Sequence, residues 1–177
     1  MKHRVILFTD IGDTIIDEGT EVRDEPGGVV RQADCLPGAR DTMLALHEAG
    51  YAIAMVADCL VQSFHNTMSQ HGLEHIFAAK AISEAVGAEK PDARMFQSAM
   101  DQLGLTEADK RRILMIGNNL ARDVAGANAF GIRSALLSWS PRYRHEWTCD
   151  AEKPDYVLKT PTELPALLAR IERELEG

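Results

Sequence analysis

The stretch ILFTDIGDTII, residues 6–16, is an apolar run that ends in two aspartates three apart, with a glycine between them and a threonine behind. An apolar run without alternation is how a strand buried on both faces of a sheet reads. Such a strand carries whatever follows it to the rim of the sheet. Here it delivers Asp10, Gly12, Asp13 and Thr14.

Outward from this strand, short apolar runs alternate with amphipathic stretches, the pattern of a parallel α/β sheet. PGARDTMLALHEAG predicts a helix with Ala39, Met43 and Leu46 on one face and Gly50 as its stop. YAIAMVAD reads as a second buried strand, and LVQSFHNTMSQHG as a helix turning Val61, Phe64 and Met68 inward. AAKAISEAVGAEKPD holds a short strand and a loop closing on Lys90, which the following proline pushes towards an extended conformation. ARMFQSAMDQLG is a helix capped by Asp92, with Phe96, Met100 and Leu103 on one stripe. RRILMIGNN and RSALLSWS are strands, LARDVAGANAFG lies between them as a close-packing helix, and PDYVL and TELPALLARIERELE complete the chain as an edge strand and a terminal helix. The expected architecture is a three-layer α/β/α sandwich on a mainly parallel, Rossmann-like sheet, one domain over residues 1–177.

Composition narrows the functions. Nineteen Lys and Arg against 27 Asp and Glu give a net charge of −8, the wrong sign for a protein that grips nucleic acid through bulk charge. An anionic substrate must then be held by local groups. Three widely spaced cysteines, Cys35, Cys59 and Cys149, form neither a disulfide framework nor a zinc motif, and fit a reducing cytoplasm. The apolar run of the N-terminus is too short for a signal peptide or a membrane span.

Parallel sheets bind ligands beyond the carboxyl ends of their strands, near the switch in strand order. The residues after each predicted strand are Asp10 to Thr14, Ala57 and Asp58, Lys90, Asn118 to Asp123, and Ser138 to Trp147. Taken singly, an Asp after a strand is more often a cap or turn residue, a Lys before Pro a solvated charge, and Asn118-Asn119 a helix cap. Taken together, two carboxylates, a lysine and a carboxamide at one rim suit a hard cation such as Mg²⁺, which prefers oxygen ligands. Phosphoryl transfer uses the same inventory of nucleophile, metal and neutralising cation.

The segments DIGDT (10–14), LPGARDTMLALHEAGY, AMVAD, VGAEKPDARMF and MIGNNLARDVAGANAFGI follow in order the four motifs of the haloacid-dehalogenase-like hydrolase superfamily, which this chain resembles over roughly residues 4–140. The resemblance implies that Asp10 is the nucleophile of an aspartyl-phosphate and that Lys90 neutralises nucleophile and phosphate. It implies Mg²⁺ on Asp10, the Gly12 carbonyl, Asn118 and Asp123, and places Thr14 and Ala57 at the substrate positions of motifs I and II. Three positions depart from the pattern. Gly12 stands where the family's phosphatases carry a second Asp that protonates the leaving group, a function worth ~10²–10⁴ in rate. Ala57 replaces the phosphate-binding Ser or Thr, and Asn118 replaces the first metal-binding Asp. Asp13 is a candidate for the missing acid; Asp58 is accessible to substrate in principle, and otherwise caps the helix at Leu60.

Family members usually insert a cap domain, yet residues 15–35 are few and read as a β-hairpin flap around Pro26-Gly27-Gly28. The expected form is capless, with an open site. Such relatives act on large substrates or borrow walls from neighbouring subunits, which makes a homo-oligomer one expectation. WSPRYRHEW, residues 139–147, emerges at the same rim, where Arg142 and Arg144 among aromatics either bind an anionic substrate or belong to an aromatic plug or subunit contact. His47, His65, His71 and His75 lack ligand spacing and are expected at the surface. The functional expectation is a Mg²⁺-dependent phosphatase acting on a phosphorylated small molecule or an exposed phosphate group. Two alternatives stand beside it: an inactive protein of the same fold that binds a phosphorylated ligand or partner, and a hydrolytic dehalogenase.

Overall fold

Residues 4–176 are described by the structure, a computed structural model. Six strands form one parallel sheet: β1 (Ile6–Thr9), β4 (Ala52–Ala57), β5 (Phe77–Ile82), β6 (Ile113–Gly117), β7 (Arg133–Leu137) and β8 (Tyr156–Leu158), in the order β5-β4-β1-β6-β7-β8. The chain builds outward from β1 through β4 to β5, then returns to the other side of β1 for β6 to β8. This reversal leaves β1 between β4 and β6 at the switch point, where a crevice opens beyond the strand ends.

Alternate side chains on each strand serve opposite layers. Leu7, Ile53, Met55, Leu114 and Ile116 face α1 (Ala39–Glu48), α2 (Val61–Gln70) and α6 (Leu164–Glu176). Ile6, Phe8, Ala54, Val56 and Met115 face α4 (Ala93–Gln102) and α5 (Ala125–Phe130). The expected inward residues Ala39, Met43, Leu46, Phe64, Met68, Phe96 and Met100 are buried, whereas Val61 and Leu103 at helix ends are half-buried. The three-layer α/β/α sandwich is the observed architecture. Of the four histidines expected at the surface, His75 is exposed, but His47, His65 and His71 are half-buried, because His65 meets Glu74 and His71 Nε2 meets the Ala33 carbonyl.

Residues 15–35 contain a short hairpin, β2 (Val22–Arg23) antiparallel to β3 (Val30–Gln32). It is docked on α2 by side chains that act as a substitute strand edge: the Val30 N–H donates to Ser63 Oγ, the Asn66 Nδ2 to the Val30 carbonyl, and the Ala33 N–H to Gln70 Oε1. Between Ala57 and Lys90 lie only α2, a 3₁₀ turn, β5 and the single turn α3 (Ser83–Val86).

One local element departs from the expected regular helix. Residues Leu120–Val124 form a π-helical turn before α5, with the N–H groups of Asp123 and Val124 both donating to the Asn119 carbonyl. The side chain of Asn119 caps this turn through the N–H groups of Ala121 and Arg122. Such widened turns concentrate at functional sites, and this one lays Asp123 back over the end of β6. A Cβ on Gly117 would lie 2.2 Å from Asp123 Cγ, so only glycine admits the buried carboxylate here. Gly117→Ala is expected to cost about 1–3 kcal/mol of stability, the range for overpacking a filled interior, read from urea denaturation.

Candidate active site

Asp10 continues the sheet by one backbone bond, its N–H donating to the Ile116 carbonyl at 3.0 Å. That bond fixes the carboxylate directly beyond β1. Opposite it, Lys90 is almost wholly buried, and its ammonium touches three oxygens: Asp10 Oδ1 at 2.7 Å, Asp123 Oδ1 at 2.7 Å and the Val56 carbonyl at 2.8 Å. Two of these contacts are hydrogen bonds, to Asp10 Oδ1 and the Val56 carbonyl, whereas Asp123 Oδ1 is held by charge alone and has no hydrogen-bond partner among the described residues. Asp123 Oδ2 accepts the Asn119 N–H, so the far carboxylate is held at both oxygens.

The charges decide the protonation states. Burial, reinforced by the negative charge of Asp123, pushes the Asp10 carboxyl up to about 7 against the pull of Lys90. Burial alone would lower the Lys90 ammonium, but Asp10 and Asp123 raise it well above its ordinary range and keep it charged. With all three groups ionised the cluster carries −1, an excess that a cation bound beside Asp10 would relieve.

A cavity of about 750 Å³ opens over this cluster, and Asp10, Gly12, Asp58, Lys90, Asn118 and Asp123 all line it. The hairpin supplies part of its wall through Glu21, Arg23, Gly27 and Val30. The structure thus brings together Asp10, Lys90 and the Gly12, Asn118 and Asp123 positions, which lie up to 113 residues apart in the chain.

Other predicted positions lie elsewhere. Thr14 and Ala57 are buried outside the cavity lining, and the Thr14 hydroxyl has no hydrogen-bond partner among the described residues. Asp58 does not cap α2, whose first turn instead receives Glu84 Oε2 on the Val61 N–H. Its oxygens bind the Lys90 N–H at 2.9 Å and Arg122 Nη1 at 3.3 Å. Asp13 is fully buried in a left-handed turn (φ 44°), with Arg142 on both its oxygens and the Glu18 N–H on Oδ1. Burial alone would raise its carboxyl, but these hydrogen bonds win and hold it below the ordinary carboxylate range. Asp13 is therefore a bracket for the turn and a poor proton donor.

Arg142 and Arg144 also find internal partners. Arg142 bridges Asp13 and Asp17, and Arg144 pairs with Glu152 and the Glu146 carbonyl. Neither lines the cavity over Asp10; both border a smaller hollow beside Asn119 to Ala121. Of that segment only Tyr143 reaches the main cavity, where its hydroxyl donates to Glu18 Oε2 at 2.9 Å. Glu18 and Arg122 are cavity residues that the sequence reading passed over, and Tyr143 was one of the aromatics expected at the rim. Arg122 lay inside the quoted motif, but nothing in the local pattern marks Glu18, which reaches the site from the hairpin's first turn. Burial, opposed by the Tyr143 hydrogen bond, raises the Glu18 carboxyl.

The lysine clamp and the arginine bracket have separable consequences. Lys90→Met leaves two buried carboxylates facing each other and is expected to cost about 3–5 kcal/mol, the range for breaking a buried ion pair, measured by urea denaturation at neutral pH. For Asp13, a depressed folded value means stability present above the unfolded value of about 3.9 and lost as pH falls through the folded one. The stability gap between the native chain and Arg142→Met should therefore be widest above about pH 4 and close on acidification, as read from denaturation midpoints across pH.

Comparison with known proteins finds hydrolases of related sequence and fold. A glyceraldehyde 3-phosphate phosphatase of Methanopyrus kandleri is 27% identical over 128 residues, which are 72% of this chain and 54% of that protein. An (S)-2-haloacid dehalogenase of Pseudomonas sp. is 26% identical over 129 residues, 73% of this chain and 53% of the other. The crystal structure of a HAD phosphatase from Thermococcus onnurineus superposes with a TM-score of 0.72 at 18% identity, covering 95% of this chain and 98% of that one, a likeness of fold. The chain spans about half the length of the curated relatives it matches. Residues 2–131 match the haloacid dehalogenase-like hydrolase family, and the chain belongs to that family.

Proposed function

We propose that the protein is a phosphohydrolase in which Asp10 attacks the phosphorus of a phosphate ester. The observation that carries this reading is the Lys90 ammonium held 2.7 Å from both Asp10 and Asp123 at the floor of an accessible cavity. Asp10 is fixed by the sheet, so its attacking oxygen needs little reorganisation, and positioning supplies much of the rate in phosphoryl transfer. Lys90 offsets the charge of the nucleophile and of the phosphoryl group it accepts.

The residues at this site fit a divalent cation. The backbone bonds of the turn after β1 fall on the carbonyls of Ile11 and Ile16 and leave the Gly12 carbonyl out. Asp123 carries a buried Oδ1 without a hydrogen-bond partner among the described residues, an oxygen free to face a cation, and Asn118 can offer its amide oxygen. Asp10, the Gly12 carbonyl and Asn118, with Asp123 behind them, would hold Mg²⁺, which when bound would draw charge from the phosphate oxygens. Asn118 brings no charge, so the affinity is expected to be modest. In place of the hydroxyl that Ala57 lacks, the Asn118 amide and the Arg122 guanidinium are the donors available to phosphate. The hairpin of residues 22–32 serves as the roof of a capless site, and its substrate is a phosphorylated small molecule, the class named by the glyceraldehyde 3-phosphate and phosphoglycolate phosphatases among the relatives.

Dehalogenation is the second reading, favoured by the haloacid dehalogenase relative and by the uncharged Asn118 and Gly12. The two separate in one pair of assays. Turnover of p-nitrophenyl phosphate is expected to require Mg²⁺ and to fall to background in Asp10→Asn. Metal-independent chloride release from a 2-haloacid, without phosphate release, would establish the other reaction. Turnover of neither, with phosphate ligands still bound, would identify a binding protein.

A further inference from the structure

Residue 12 is where a side chain two positions beyond Asp10 would project, and that space is already filled. A Cβ on Gly12 would lie 2.1 Å from Glu18 Oε1, 2.9 Å from Cδ and 3.0 Å from Cγ. The glycine and the glutamate are complementary: the missing side chain makes room for a carboxyl group that arrives from the 3₁₀ turn Glu18–Thr20 at the base of the hairpin. We propose that Glu18 is the proton-transfer residue of this site, donating to the leaving-group oxygen and then accepting a proton from the attacking water.

Its supports hold it at the cavity. Its N–H is fixed on Asp13 Oδ1 at 3.0 Å, its Oε2 accepts the Tyr143 hydroxyl at 2.9 Å, and no hydrogen bond among the described residues occupies Oε1. Both Glu18 and Asp10 line the same cavity. The other carboxylates around it are committed: Asp58 to the Lys90 N–H and Arg122, Glu21 to Arg23, Glu84 to the Val61 N–H, and Glu89 to Arg122 at 3.7 Å. Asp13 lies outside the lining with both oxygens on Arg142.

This assignment rests on the phosphohydrolase reading, and its steps balance. An Asp10 oxygen bonds to phosphorus, the bond from phosphorus to the ester oxygen breaks, and that oxygen leaves as an alcohol with the proton of Glu18. Water then bonds to phosphorus and gives one proton to the Glu18 carboxylate. The bond from phosphorus to Asp10 breaks, which returns the carboxylate and releases inorganic phosphate.

The test compares leaving groups in the full chain with Mg²⁺. A p-nitrophenolate leaving group needs no proton, whereas an alkoxide does. Glu18→Gln is expected to slow alkyl phosphate turnover about 10²–10⁴-fold. With p-nitrophenyl phosphate, the variant should release one equivalent of nitrophenolate per enzyme at nearly the native rate and then stall, because water attack lacks its base. Moving the carboxyl back, in Gly12→Asp with Glu18→Ala, should restore alkyl phosphate turnover relative to Glu18→Ala alone. Undiminished alkyl phosphate turnover in a folded Glu18→Gln, or an equal loss of alkyl turnover and of the nitrophenolate burst, would overturn the assignment and leave the phosphohydrolase reading intact. A native chain inert towards both esters would overturn both.

Discussion

The structure depends on one buried cation. Lys90 lies under the sheet rim, hydrogen-bonded to Asp10 and the Val56 carbonyl and paired by charge with Asp123, and it ties the ends of β1, β4 and β6 at a single atom. Taking an ammonium out of water is costly unless its partners are close, and here two carboxylates lie 2.7 Å away. The same contact prevents two buried carboxylates from repelling each other and sets the charge at which the cavity meets a ligand. Stability of the switch point and the charge of the cavity are therefore carried by the same groups, and small residues stand around them: Gly117 yields its side-chain volume to Asp123, and Gly12 yields its own to Glu18.

A second layer of polar contacts stands on the first. Arg142 reaches from the loop after β7 to Asp13 and Asp17, while Tyr143 beside it reaches Glu18. The loop thus pins the turn after β1 from outside the sheet. Asp13 in its left-handed conformation, a strained state tolerated where surroundings over-determine it, is held by that grip. The hairpin is anchored separately through Ser63, Asn66 and Gln70 of α2. The roof over Asp10 thus has two independent supports, one on each side of the sheet centre.

The fold was legible because its signals are local. Continuous apolar runs marked β1, β4 and β6, helical stripes marked α1, α2 and α4, and Pro26-Gly27-Gly28 marked the hairpin turn. The meeting of Asp10, Lys90, Asn118 and Asp123 was also legible, since a parallel sheet sends all its strand ends to one side. The substrate role expected of Arg142 and Arg144 misjudged where charge is satisfied: two arginines among aromatics read alike whether they await a ligand or already hold Asp13, Asp17 and Glu152. Asp58 was misread as a cap for the same reason, since a capping carboxylate and one that holds the Lys90 N–H occupy the same place in a sequence.

The amino-acid sequence alone determined the order of buried strands and the rim on which the polar groups collect, because burial and periodicity are written within ten or so neighbouring residues; the parts given to Asp10 and Lys90 came from the resemblance of their motifs to a family. Tertiary structure decided which groups are spoken for. Lys90 meets Asp10 across 80 residues, Tyr143 meets Glu18 across 125, and Arg142 meets Asp13 across 129. Contacts of that separation depend on the exact path of the loops, and a carboxylate facing Gly12 arises only when two such paths converge on the space that a missing side chain leaves open.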